Sequence, residues 1–259
     1  MEVVIGFGSL LLVLDFDLPT KDVDLDHKFR QMDQQSHHSR HTVNTVGYVP
    51  VFLNEIDLKL GNKLNISQSP SRLPRQEADS IPFSSKSLAD ILRHFSIDPN
   101  SPLAKEVKKT LRICEEPLAK GEHRVCATSL KSAHDFASSI FGQKANLQVM
   151  ATTFHNKETH SPAVQPYTIK GITFRLAMPS VVACHALPYP YTVYFCHELF
   201  ETKVFKVMLE GDDRNQVDAI VVCHLDTSDL DPNVTKNKSG KPICHLLAEN
   251  NLLWLSIPV

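Results

Sequence analysis

The sequence predicts an α+β fold in which an N-terminal three-helix segment packs on a mainly antiparallel sheet. Apolar residues recur at helical spacing in three segments between residues 84 and 142, and they alternate with a period of two after Gly142. Helices that precede strands, instead of alternating with them, argue against a parallel βαβ sheet. Hydrophobic residues make up 42% of the 259 residues, which is enough for a sizeable core.

Charge and motif content exclude several classes of function. The formal net charge is -2, so the chain has no general electrostatic reason to bind nucleic acid or an anionic membrane surface. The sequence contains neither a G-x-G-x-x-G dinucleotide fingerprint nor a P-loop. We therefore expect no nucleic-acid partner and no nucleotide cofactor.

Residues 1–46 are interpreted as an N-terminal extension, and residues 47–259 as the folded domain. The apolar run Val3–Leu14 is too short for a membrane-spanning helix, which needs about 20 residues. It has the length of a signal-peptide core, but Glu2 stands where a positive charge is usual, so the alternatives are a poorly defined signal and an ordinary apolar segment. Residues 15–46, including His37, His38 and His41, are typical of a flexible polar linker.

Each element of the domain has a local signal. Residues 51–60 alternate well enough for an edge strand, and residues 65–82, with three prolines, predict a loop. The predicted helices begin after Ser84 or Ser85, at Ser101-Pro102 and at Thr128, and the last ends at Gly142. The predicted strands are 147–154, 167–174, 181–186, 191–197, 203–209, 217–224, 242–247 and 252–257.

Four of the six cysteines are followed directly by histidine, and all four pairs fall in predicted strands. The pairs are Cys184-His185, Cys196-His197, Cys223-His224 and Cys244-His245. Because neighbouring side chains on a strand point to opposite faces, each pair sends a thiol to one face and an imidazole to the other.

A hairpin about Pro190 would place Cys184 opposite Cys196 and set His185 diagonally to His197. Diagonal neighbours are about 7–8 Å apart, close enough for long side chains to share a small ligand. If the other two strands join the same sheet, four imidazoles converge on one face, while the cysteines pair or pack as small apolar groups on the other.

Converging neutral imidazoles suit copper, zinc or nickel, and copper(II) is the tightest binder on general grounds. The alternative is structural: the histidines hydrogen-bond within the sheet while the cysteines form disulfides. Cys114 and Cys126 stand apart from the pairs and bracket a loop after the second helix, and we expect a disulfide there that stabilises by about 2–3 kcal/mol on the loop-closure model.

The spacing of the pairs resembles the BURP-domain family of plant proteins. Ten residues separate His185 from Cys196, twenty-five separate His197 from Cys223, and eight lie between His245 and Trp254, the only tryptophan. The segments RQEADSIPFSS, CEEPLAKGEHRVCATSL and CHLDTS are also similar to the family. The nineteen residues between His224 and Cys244 are a departure, because the family's gap is longer.

The resemblance implies that His185, His197, His224 and His245 are copper ligands, that Trp254 is a motif residue, and that the protein is secreted to the cell wall or storage vacuole. Persisting disulfides and three N-x-[ST] sequons, at Asn65, Asn233 and Asn237, fit secretory passage. The partners expected for such a protein are wall polysaccharide or wall protein, in a stress- or development-associated role.

A second implication competes with the first. Some family members resemble copper-dependent cyclases that crosslink a Tyr or Trp ring in a peptide of their own chain. Gln165-Pro166-Tyr167 faintly resembles the start of such a core peptide, and Tyr48 is the other reachable phenol. The absence of a full core peptide favours a non-enzymatic protein.

Overall fold

Ten strands form one antiparallel sheet in the computed structural model, which describes residues 52–67, 73–155, 164–225 and 242–257. The strand order is β1-β9-β8-β7-β6-β10-β4, while β2, β3 and β5 pair with parts of β6, β7 and β8 respectively. The strands are β1 (Phe52–Asn54), β2 (Lys63–Ser67), β3 (Arg124–Ala127), β4 (Asn146–Met150), β5 (Thr153–Phe154), β6 (Val164–Leu187), β7 (Val193–Gly211), β8 (Gln216–His224), β9 (Ile243–Leu246) and β10 (Leu252–Ile257).

Two strands are much longer than the sequence pattern predicts. The predicted pairs 167–174 with 181–186, and 191–197 with 203–209, are each one continuous strand, β6 and β7. Register shifts between Ile169 and Gly171, and between Ile172 and Phe174, interrupt the period of two in β6 without ending it. These shifts lie within the predicted strand 167–174, whereas residues 175–187, which include the predicted break, keep one constant register with β7.

The helices are α1 (Arg75–Ser80), α2 (Leu88–His94), α3 (Pro102–Glu115) and α4 (Leu130–Phe141), with 3-10 turns at Glu55–Asp57 and Ser85–Ser87. The prediction of a loop over 65–82 is wrong, because β2 extends to Ser67 and α1 follows directly on Pro74. That proline precedes the helix at φ -58°, where its ring does not disturb the helical hydrogen bonds.

Serine side chains cap the two longest helices. Ser101 accepts from the Ala104 amide and Pro102 is the first helical residue, as the sequence indicates. For α4 the cap is Ser129 and not the predicted Thr128, because the Ser129 hydroxyl accepts from the Ser132 amide.

The helices lie on different parts of the sheet. α2 and α3 share a core with Tyr189, Tyr191 and Val193 at the β6–β7 hairpin. α4 packs near β10, where the His134 ring meets the buried Trp254 ring edge-on at 5.5 Å between centroids.

The sheet itself buries two apolar faces. Alternate residues of β8 divide between them: Ala219, Val221 and Cys223 face the first core, and Ile220 and Val222 face the second. His224 follows Cys223 and therefore emerges on the side of the second core. No helix among the described residues is long and apolar enough to cross a membrane.

Three disulfides use all six cysteines. They join Cys114 to Cys126, Cys184 to Cys196 and Cys223 to Cys244. The first connects the end of α3 to β3, and the other two join directly opposite residues of neighbouring strands.

Candidate metal centre

The four histidines of the Cys-His pairs lie on four different strands of the sheet. His185 is near the end of β6, His197 near the start of β7, His224 at the end of β8 and His245 in β9. Each one neighbours a disulfide cysteine, so strand alternation places the imidazole on the face opposite the disulfide.

Strand register brings the imidazoles together in two diagonal pairs. Ala183 is opposite His197, which sets His185 diagonally to His197, and the ring centroids are 5.4 Å apart. Val222 is opposite His245, which sets His224 diagonally to His245 at 5.2 Å.

Curling of the sheet joins the two pairs. In the strand order, β8 and β7 separate β9 from β6, so a flat sheet would hold the two outer strands about 14 Å apart. The His185 and His245 ring centroids are nevertheless 5.3 Å apart.

The bend lies in β7. Its first part pairs with β3 over Tyr194–His197 and its second part pairs with β8 from Thr202 onward, along the same edge. Between them, Glu201 adopts a left-handed backbone with φ 48°.

Two of the imidazoles have nitrogen atoms as close together as neighbouring ligands of one metal ion. The Nε2 atoms of His224 and His245 are 3.1 Å apart. Two nitrogens each about 2.0–2.1 Å from one ion, at angles of about 90–110°, are about 2.9–3.4 Å apart. This separation is compatible with neighbouring ligands of a single ion, as well as with one N–H···N hydrogen bond.

Burial keeps the cluster uncharged at neutral pH. Desolvation, with repulsion from the neighbouring imidazoles, lowers the pKa of His197 to about 4 and that of His245 to about 3. Burial lowers the pKa of His224, and burial with the three neighbouring histidines lowers that of His185 well below its usual value. A neutral imidazole has a free nitrogen lone pair, which is the form that binds metals.

The surroundings of the cluster are largely apolar. The Phe52 ring meets His245 at 6.0 Å and the Phe195 ring meets His197 at 5.6 Å between centroids. The Nδ1 atom of His245 is buried without a hydrogen-bond partner among the described residues. A buried nitrogen of this kind is costly unless a donor or an ion satisfies it.

The described residues contain no group of three or more His, Cys, Asp or Glu side chains already spaced around one point. Centroid separations of 5.2–5.4 Å are compatible with imidazoles around one ion, so it is the directions of the rings that would have to change for all four nitrogens to meet it. The arrangement is a convergent donor set that needs side-chain adjustment.

Three polar residues that the sequence did not single out lie near the cluster. Asn251 is fully buried, and its Oδ1 accepts from the Ala186 amide at 2.9 Å while its Nδ2 lies 3.4 Å from His185 Nδ1. Arg124 lies over the Phe195 ring, and Glu122 is the carboxylate that acts on His197, where it opposes the fall in pKa. The one sequence signal for Asn251 is its position just before a predicted strand.

Other residues from the sequence analysis lie elsewhere. Trp254 is opposite Val182 and is fully buried on the disulfide face, so it does not join the imidazoles. Asn65 belongs to strand β2. Asn233, Asn237, His37, His38 and His41 fall outside the described residues.

Comparison with known proteins identifies relatives. The BURP domain family matches residues 51–256. The chain is 39% identical over 222 residues to BURP domain-containing protein 17 of Oryza sativa subsp. japonica, covering 79% of this chain and 38% of the rice protein. It is 39% identical over 223 residues to BURP domain-containing protein BNM2A of Brassica napus, covering 80% of this chain and 79% of the Brassica protein. It is 34% identical over 221 residues to BURP domain protein RD22 of Arabidopsis thaliana, covering 80% of this chain and 55% of the Arabidopsis protein. The chain thus spans less than two thirds of the rice and Arabidopsis proteins.

Proposed function

The chain belongs to the BURP domain family, and from that premise we propose that it is a secreted plant protein whose four-histidine cluster binds one copper ion. The observation that carries the proposal is the convergence of His185, His197, His224 and His245 as buried neutral imidazoles, two of them with Nε2 atoms 3.1 Å apart. Residues 47–259 would form the binding domain, with residues 1–46 as an extension.

The donor set favours copper over other ions on general grounds. Imidazole suits copper, zinc and nickel, and copper(II) has the highest affinity for a given nitrogen site. Oxygen-seeking ions such as Mg²⁺ and Ca²⁺ are poorly matched, because no carboxylate belongs to the imidazole set.

The chain's own residues would hold the ion in a fixed and dry environment. The two cross-strand disulfides tie together the strands that carry the ligands, so the imidazoles stay near one another before metal arrives. Phe52 and Phe195 limit the access of water, and Asn251 limits rotation of His185. A bound copper ion would supply one-electron and oxygen chemistry that these side chains lack.

A non-enzymatic role in the cell wall or storage vacuole is the function favoured here, associated with stress or development. Three disulfides fit an oxidising compartment. Wall polysaccharide or wall protein would be the partner. The family resemblance and the three disulfides together support this role.

The alternative is a copper-dependent cyclase that crosslinks Tyr or Trp in its own chain. Within the described residues every Tyr and the Trp are at most 2% exposed, and they are Tyr167, Tyr189, Tyr191, Tyr194 and Trp254. A ring that is packed in the core cannot approach an oxidising centre without unfolding, so these five residues favour the binding role, while Tyr48 lies outside the described residues. The resemblance of residues 165–167 to a core peptide gains no support from the buried position of Tyr167.

Titration of the metal-free protein with copper(II) tests the proposal. We expect one copper ion per chain, and at least about a tenfold loss of affinity in the His185→Ala/His197→Ala variant. The matched control is His94→Ala/His155→Ala, which removes two exposed histidines and should leave the affinity unchanged. Equal copper affinity in all three proteins would contradict the four-histidine site.

Mass spectrometry separates the two functions. After incubation with copper and oxygen, a binding protein keeps the mass of every tryptic peptide. Loss of two hydrogens from a peptide that contains Tyr or Trp would instead establish the cyclase.

A further inference from the structure

A cavity of about 580 Å³ lies on the other side of the sheet from the imidazole cluster. Glu198 lines it and follows His197 directly on β7, so the two side chains leave the strand on opposite faces. The cavity lies between β3, β7 and α4, and its apolar walls are Leu118, Phe136, Ile140 and Phe200. Neither the copper proposal nor the family resemblance gives this cavity a role.

A polar relay forms one side of the cavity. The Ser180 hydroxyl donates to Glu198 Oε1 at 2.8 Å, and His123 Nδ1 lies 2.7 Å from Glu198 Oε2. The Glu198 side chain is only 10% exposed, whereas the His123 side chain is 55% exposed. The carboxylate is therefore held from two sides, and the imidazole extends from it toward solvent.

This relay determines which hydrogen bond His123 offers a ligand. A carboxylate accepts, so Nδ1 of His123 donates to it, and in the neutral form of the imidazole this is the only ring proton. Nε2 then carries a lone pair and acts as an acceptor. The cavity thus presents an oriented acceptor, of the kind made whenever a carboxylate fixes a histidine tautomer.

The charges around the cavity disfavour an anionic ligand. The guanidinium of Arg124 is 8% exposed, and it is occupied by Glu122 at 2.6 Å and by the carbonyls of Glu116 and Pro117 at 2.9 and 3.1 Å. No cation lining the cavity is left to pair with a carboxylate or phosphate. Glu122 and Glu198 would repel such groups.

The walls favour a ligand with an apolar body. Leu118 and Phe200 are 59% and 58% exposed, which is unusual for large apolar side chains and leaves their surface available for burial. Covering that surface contributes about 25 cal/mol per Å². Apolar walls beside one oriented acceptor select a compact apolar molecule that carries one hydrogen-bond donor.

We propose that this cavity binds a small uncharged alcohol, with the ligand hydroxyl donating to His123 Nε2 and its apolar body packing against Leu118 and Phe200. Ser180 and Glu198 are positioning residues that hold the imidazole in the accepting tautomer. Glu198 leaves β7 on the face opposite the copper cluster, while Glu122 and Arg124, at the edge of the cavity, also lie near His197.

The test is NMR titration of the full chain with four benzyl compounds of matched size. We expect benzyl alcohol to shift the resonances of His123 and Phe200, and benzyl methyl ether, which lacks the donor, to bind about two- to tenfold more weakly. Benzoate, which tests the anionic alternative, should bind more weakly than the alcohol, and benzylammonium tests whether the two carboxylates select a cation instead.

Variants test the assigned residues. His123→Ala should lose the preference for the alcohol over the ether, whereas His155→Ala should keep it. His155 is the matched control because it also pairs with a carboxylate, Asp218 at 3.1 Å, but lies outside the cavity. In Glu198→Gln the side-chain amide donates to Nδ1, which turns Nε2 into a donor and should remove or reverse the preference for the alcohol.

Equal binding of alcohol and ether by the unaltered protein would overturn the proposal. Tighter binding of benzoate or benzylammonium, or an unchanged preference in both His123→Ala and Glu198→Gln, would do the same. Glu198→Gln preserves side-chain size, so it remains informative if His123→Ala folds poorly.

Discussion

Burial of four neutral imidazoles makes the stability of the metal-free protein depend on pH. The unfolded chain takes up protons on these histidines near pH 6.5, whereas His197 and His245 in the folded protein resist protonation down to about pH 4 and 3. The unfolded state therefore binds more protons as pH falls from 7.5 to 5, and the free energy of unfolding decreases, by up to about 1.4 kcal/mol per pH unit for each histidine.

Urea denaturation at pH 7.5 and pH 5 measures this effect. Carboxylates whose pKa is lowered in the fold, such as Asp218, lose their contribution to stability only at more acid pH. They therefore do not account for a difference between pH 7.5 and pH 5. The His94→Ala variant, at an exposed position, should show the same pH dependence. A free energy of unfolding that is equal at both pH values would contradict the buried, neutral state of the cluster.

Asn251 supports the cluster through its side-chain amide. Replacing it by Ala leaves the buried Ala186 amide without its acceptor and frees the His185 ring. We expect a loss of about 1–3 kcal/mol in the free energy of unfolding, together with weaker copper binding. Asn146→Ala, at an exposed position, should change neither quantity, and an equal effect of the two substitutions would remove the supporting role.

For individual residues, the sequence predicts part of the site. Alternation along a strand is a local property, so the separation of thiol from imidazole in each Cys-His pair follows from adjacency alone. Asn251 could not be found in this way, because its contact with His185 spans 66 residues and depends on the chain path between them.

Among the elements, α3 and β3 are joined by the disulfide between Cys114 and Cys126. The cross-link closes a separation of 12 residues, which on the loop-closure model stabilises the fold by about 2–3 kcal/mol. Cys114→Ser/Cys126→Ser should lower the free energy of unfolding by that amount in urea denaturation. The protein should still bind one copper ion per chain, since neither cysteine belongs to a Cys-His pair. An unchanged free energy of unfolding would contradict the stabilising role of this disulfide.

The turn after β7 has no room for a side chain at Gly211. A Cβ at Gly211 would lie 2.5 Å from Asp213 Oδ1 and 3.1 Å from Tyr167 Cε1, and Asp213 is itself tied to the Asn215 amide. Gly211→Ala should therefore destabilise the protein by about 1–3 kcal/mol. A Cβ at Gly171 meets only ordinary contacts with Met208, so Gly171→Ala is the matched control, and similar melting temperatures for the two variants would be the contrary result.

Element starts were easier to predict than element lengths. The Ser101-Pro102 start of α3 is a local hydrogen-bond motif and is readable from two residues. The continuity of β6 is not readable in this way, because across the predicted break it depends on pairing with residues of β7 that are distant in the sequence. The sequence does not predict helix α1, because Pro74 stands just before it and a proline among other prolines also indicates a loop.

Across the whole molecule, the candidate site exists because the sheet curls. Strand register explains each diagonal pair of histidines, but the 5.3 Å contact between His185 and His245 requires the bend near Glu201 and the change of partner from β3 to β8. No local pattern encodes that bend, since it results from packing two apolar faces at once. The shorter segment between His224 and Cys244, a departure from the family spacing, is compatible with a directly opposed Cys223 and Cys244.

The most direct test of the central claim is electron paramagnetic resonance of the protein loaded with one equivalent of copper(II). A four-histidine site predicts nitrogen hyperfine coupling from at least three imidazoles, retained in His37→Ala/His38→Ala/His41→Ala and reduced in His185→Ala/His197→Ala. A spectrum that is unchanged by loss of His185 and His197, or that is abolished by loss of the three N-terminal histidines, would contradict it.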